Sequence, residues 1–127
     1  MKTPADELMN FALFALGHVA DSVIGSNGPL IPVSLVEVDG KRSLARFVGD
    51  LEDGQQRARD TAKDTLGVQR AAVAWDGYLT IENIKTDAVF VEASQAGDTH
   101  SIILAQRYRP TGRVGNPALV AKGAALF

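Results

Sequence analysis

Apolar and polar positions repeat with two different periods along this chain, and each change of period marks an element. Leu8, Ala12, Leu16, Val19 and Val23 recur at helical spacing, and Met9, Leu13, Ala20 and Ile24 widen that face. Thr3-Pro4-Ala5-Asp6 opens the run with a capping residue, a proline suited to the first turn and an acid that complements the helix dipole. Gly25 stops it, so the spacing predicts a helix from Pro4 to Ile24. Phe11 and Phe14 fall off the main stripe in this reading. A helix apolar on most sides is covered on more than one side, and a second subunit is the natural cover for these two rings. Gly17 costs about 1 kcal/mol against alanine inside a helix, which close packing would explain.

After a loop at Ser26-Asn27-Gly28-Pro29, the period drops to two. Leu30–Val38 and Arg42–Val48 flank Asp39-Gly40, a strong hairpin signal. A two-residue turn sets Val38 against Lys41, Glu37 against Arg42 and Leu35 against Leu44. Asp50–Leu66 returns to helical spacing with a thin stripe of Leu51, Ala58, Ala62 and Leu66. The rest of that helix is polar, with Asp53 and Arg57 spaced for an ion pair and Gly54 weakening the first turn. Gln69–Trp75 and Tyr78–Ile81 flank Asp76-Gly77, which reads as a second hairpin turn. Asp87–Ser94 and His100–Arg107 flank a third turn at Gly97-Asp98, with Val89, Val91, Ile102 and Leu104 on one apolar face. Pro110, Gly112 and Gly115 read as a loop, and Asn116-Pro117 as the opening of a short helix, Ala118–Leu126.

These elements predict one α+β domain over residues 1–127. It is an antiparallel sheet of five or six strands, with a long buried N-terminal helix, a polar second helix and a short C-terminal helix packed on it. The order is similar to that of profilin-like and roadblock-type dimerisation folds. That likeness is one of element order alone and implies no functional residue.

Composition narrows the chemistry. The chain has no cysteine, which excludes disulfides, thiol nucleophiles and thiolate-held metals and fits a cytoplasmic setting. Two histidines leave little for a histidine metal site, so no metal or cofactor is expected. Net charge is −2, too acidic for broad nucleic-acid binding. Beyond Asp98, however, the only charged residues are Arg107, Arg109, Arg113 and Lys122. The apolar stretch Leu8–Leu16 is too short to span a bilayer, and the acids before it do not suit a signal peptide, so an untargeted chain off the membrane is expected.

The site residues follow from these patterns. Arg107, Arg109 and Arg113 alternate with Tyr108 and flexible glycines, a combination suited to an anion. His100 heads a strand and, with Glu82, Asp87 or Glu92, has the residue types of an acid–base pair. Glu92 lies among apolar residues on the Phe90 face, which the alternation assigns to solvent. A two-residue turn at Ala96-Gly97 would set it opposite Ser101, and other turn lengths would change the partner. His18, Asp21 and Ser22 share a helix face but lack the geometry of a hydrolase triad. Trp75 and Tyr78, read as an aromatic pair across a turn, are suited to a partner surface.

No catalytic motif is assembled. The leading expectation is therefore a non-enzymatic binding or regulatory module acting as a homodimer, with Phe11, Phe14, Trp75 and Tyr78 at interfaces. One alternative is a small enzyme on an anionic metabolite, with the arginines holding the anion and His100 or Glu92 moving protons. Another is a secretion-chaperone or immunity-type protein that binds a protein partner.

Overall fold

The computed structural model describes residues 3–26 and 29–127, so Asn27 and Gly28 of the expected loop lie outside the described residues. Helix α1 (Pro4–Val23) begins with a capping box. The Asp6 amide donates to Thr3 Oγ1 (3.1 Å) and the Thr3 amide donates to Asp6 Oδ2 (3.2 Å). Two amide groups that a helix start leaves unpaired are thereby satisfied. The buried face of α1 runs through Leu8, Phe11, Ala15, Leu16, Val19 and Val23. Phe11 is fully buried, which corrects the expectation that it serves an interface. It lies three residues after Leu8 and four before Ala15, on the helical stripe itself.

Six strands follow in one antiparallel sheet: β1 (Val33–Val38), β2 (Lys41–Arg46), β3 (Arg70–Ile81), β4 (Ile84–Gln95), β5 (His100–Arg109) and β6 (Gly112–Ala124). Helix α2 (Leu51–Asp64) connects β2 to β3. The strand order is β2-β1-β3-β4-β5-β6. The Asp39-Gly40 hairpin has the expected register, with Val38 against Lys41, Glu37 against Arg42 and Leu35 against Leu44. Both turn residues have positive φ, 51° and 75°, as this turn requires.

The two helices lie on opposite faces of the sheet. α1 covers Val33, Leu35, Ala72, Ala74, Val89, Val91 and Leu104. α2 covers Val36, Ala71 and Val73. Neighbouring strand residues therefore enter different cores, as a side-chain period of two dictates. The cores differ in strength. Phe11, Leu16 and Val19 each bring about 1.5–3 kcal/mol of burial to the α1 side. α2 buries only Gly54, Ala58 and Ala62, while Leu51 and Leu66 are exposed rather than part of its inward stripe. Arg57 donates to the Val48 carbonyl (2.7 Å) and lies over the Phe47 ring, so it holds the helix start rather than pairing with Asp53.

Two expectations about the later strands are corrected, and one pairing left open is settled. β3 runs straight through Asp76-Gly77, and its turn is Glu82-Asn83, where φ is 52° and 65°. Gly77 serves packing: a Cβ there would stand 3.1 Å from the Phe90 ring. At the next turn Ala93 pairs with Ile102 and Glu92 with Ile103, so Ser101 lies diagonal to Glu92 instead of opposite it. Finally, residues 118–124 form part of β6 rather than a helix. They pair with β5 through two register shifts, one of which leaves out residues 115–117. Pairing satisfies the outer edge of β5, a gain that local helix preference does not match.

Candidate functional site

The basic run does not converge. Arg113, on the α1 side, donates to Asp21 Oδ1 (2.7 Å) and to the Gly17 carbonyl (3.3 Å). Arg107 and Arg109 alternate with Tyr108 and so belong to the opposite face. The half-buried Arg107 guanidinium lies against Gly115. His100 is seven residues from Arg107 along β5, about 23 Å at the usual strand rise. It is exposed, with Nδ1 2.9 Å from Thr99 Oγ1, in a hollow shared with Leu8, Met9 and Lys122. The structure therefore does not assemble the expected anion and acid–base set.

Glu92 is buried, which corrects the expectation of a wet side chain. Its Oε2 accepts from Ser101 Oγ (2.5 Å) and its Oε1 meets Arg59 Nη2 of α2 (2.8 Å). It faces α2, away from His100, and ties the polar helix to the sheet. A buried carboxylate needs such partners. His18, Asp21 and Ser22 are likewise not a triad. Asp21 accepts from Arg113, and Ser22 donates back to the Val19 carbonyl (2.9 Å).

Trp75 and Tyr78 point to opposite faces, so they are not a pair across a turn. Trp75 stacks on Phe90, with centroids 5.7 Å apart and planes 8° from parallel, and Arg59 lies over it at 5.5 Å. Tyr78 is exposed, with the Lys85 ammonium 4.1 Å from its ring centroid. Phe14 is 51% exposed, and Arg42 lies over its ring at 4.6 Å.

What the structure does bring together lies past the C-terminal end of α1. Strands β3, β4 and β5 run on beyond the helix and form the floor of an open cleft of about 500 Å³. Asp76, Tyr78, Asp87 and Tyr108 line it, with Val23, Ser26, Pro29 and Pro110 around them. Tyr108 is buried and donates its hydroxyl to Asp76 Oδ1 (3.0 Å) and Oδ2 (2.9 Å). The Leu30 amide also donates to Asp76 Oδ2 (2.6 Å). Asp76 therefore fastens the segment before β1 to β3 and β5. Burial pushes the Tyr108 phenol well above its ordinary range, and its hydrogen bond to Asp76 and the charges of Asp76 and Asp87 push it further. Sequence reading missed this group because Asp-Gly imitates a turn. The period-two sequence of buried Leu104, Gln106 and Tyr108 was the available signal.

Among the described residues, no group of three or more acidic or histidine side chains is placed to hold a metal ion. Nor is any helix among them long and apolar enough to cross a membrane. Comparison with protein-family models, curated proteins and solved structures found no match, so the site is read from its own residues.

Proposed function

We propose that this protein is a small non-enzymatic binding module that works as a homodimer. The observation that carries this reading is the surface around Phe14. Its ring is 51% exposed on α1, and Leu13, about 100° round the helix from it, is 40% exposed. Arg42 of edge strand β2 lies over both Phe14 and the buried Phe11, so the core continues outward to this surface. Leu44, two residues along β2, is 37% exposed and shares a small hollow with His18 of α1. A two-fold contact buries one surface against its own copy, and an apolar centre with a polar rim suits that use. The separation of His100 from Arg107 favours binding over chemistry on an anion. A cytoplasmic setting agrees with a chain that has no cysteine.

Size-exclusion chromatography with light scattering tests the reading. At micromolar concentration the expected mass is twice that of the chain, and Phe14→Glu should return it to one. A wild-type monomer under those conditions overturns it.

A further inference from the structure

The cleft beyond α1 has an electrostatic peculiarity that the dimer surface does not explain. Asp76 and Asp87 both line it, yet neither has an ion-pair partner among the described residues. No lysine or arginine is among the residues that line the cleft, and at its border stands the Lys85 ammonium, 4.1 Å from the Tyr78 ring centroid. Asp76 stands opposite Val89, and Asp87 is two residues further along the same face of β4, so the two carboxylates occupy diagonal positions. Like charges so placed repel. Asp76 has a structural task in holding Leu30 and Tyr108, whereas Asp87 is exposed and makes no side-chain hydrogen bond among the described residues.

Tyr78 supplies an independent observation. It stands opposite Asp87 on β4, and its ring already carries an ammonium group, that of Lys85. An aromatic face attracts a cation through its quadrupole, more strongly where water is partly excluded. The Tyr78 face thus already meets one ammonium group, supplied by the chain itself from the diagonal position on β4. Two carboxylates, an aromatic face and an opening of about 500 Å³ describe a receptor for positive charge on an elongated aliphatic body.

We propose that this cleft binds a small organic diammonium ion, with one ammonium on Asp87 and the Tyr78 ring and the other directed to Asp76. The apolar stem of such a ligand lies along Val23, Pro29 and Pro110. Lys85 is the internal competitor: its ammonium lies over the Tyr78 ring and repels an arriving cation.

Isothermal titration of the full chain with 1,4-diaminobutane at neutral pH is the direct test, with butylamine and sodium chloride as comparisons. Saturable binding of the diamine, weaker binding of the monoamine and no saturable response to salt are expected. Asp87→Asn should weaken diamine binding about tenfold or more, the loss of one charge-assisted contact. Lys85→Gln should tighten it severalfold by removing the competitor. Both positions are exposed strand residues, and an unchanged circular dichroism spectrum confirms that each variant is folded. No saturable heat with the diamine overturns the proposal, as does equal affinity in wild type and Asp87→Asn. A response matched by sodium chloride at equal ionic strength also overturns it. The outcome is independent of oligomeric state, since Phe14→Glu leaves the cleft residues in place.

Discussion

Glu37 shows how one residue can decide local stability. It is buried on β1 between Arg42, whose Nε donates to it at 2.9 Å, and Arg70, which also holds Glu7 of α1 at 2.5 Å. Burial alone would raise its carboxyl. Hydrogen bonds from Arg42 and Arg70 and their charges outweigh that, so the group sits below its ordinary value of 4.5. A carboxylate with a depressed folded-state value adds stability above the unfolded value and loses it as pH falls through the folded one. Thermal unfolding between about pH 5 and pH 3 should therefore show a steeper fall in Tm for wild type than for Glu37→Gln. Equal slopes would remove Glu37 from the account. Its pairing with Arg42 is legible in the sequence, because Asp39-Gly40 fixes the register locally. Arg70 is not, because nothing within the first hairpin says that β3 is its neighbour.

At the scale of elements, legibility follows the range of the forces involved. α1 and α2 are marked by caps and spacing, and their observed spans lie within two residues of the expected ones. The first hairpin is marked by its turn. β3 and β6 are misread because their identity comes from distant partners. Gly77 looks like a turn glycine until Phe90 is placed beside it, and the alanine-rich stretch after Pro117 looks helical until β5 needs an edge. The same split explains the site. Asp76 and Tyr108 are 32 residues apart and meet only once β3, β4 and β5 are aligned. Two glycines separate the local and distant contributions. Gly17 in α1 has room, since a Cβ would lie 3.6 Å from Arg113 Nη2, an ordinary contact. The expected close packing is therefore not what places it there. Gly17→Ala should stabilise the protein by about 0.5–1 kcal/mol. Gly123 in β6 has none, since a Cβ would stand 2.7 Å from Glu92 Oε2 and 2.8 Å from Ser101 Oγ. Gly123→Ala should cost about 1–3 kcal/mol through overpacking. A helix at this position would gain from the same change, so paired denaturant titrations decide between the two pictures.

For the whole molecule, the sheet separates two unequal layers. The α1 layer contains the larger apolar side chains, with the Phe14 surface at mid-helix beside β2 and the acidic cleft past the helix end. The α2 layer is held by alanines, by the Trp75–Phe90 stack and by the Arg59–Glu92 pair, and the C-terminal Leu126 joins it through its amide to Ser94 Oγ (2.9 Å). Which helix covers which face is not legible in the sequence, because β1 is apolar on both sides, with Val33 and Leu35 facing one helix and Val36 the other.

The two outer strands are closed to growth by different means. β6 is interrupted by register shifts and by Pro117, a matter of shape that salt does not alter. β2 keeps a regular ladder with β1, and its exposed ends are guarded by Lys41 and Arg46, a matter of charge. Raising salt to about 1 M shortens the reach of charge to roughly 3 Å. Self-templated aggregation should therefore begin at β2 as salt rises, with dynamic light scattering showing growing particles. Arg46→Ala should move its onset to lower salt, whereas Arg113→Ala in β6 should leave the onset where it was. The molecule's colloidal lifetime in concentrated salt would then depend on one short strand rather than on the stability of its core.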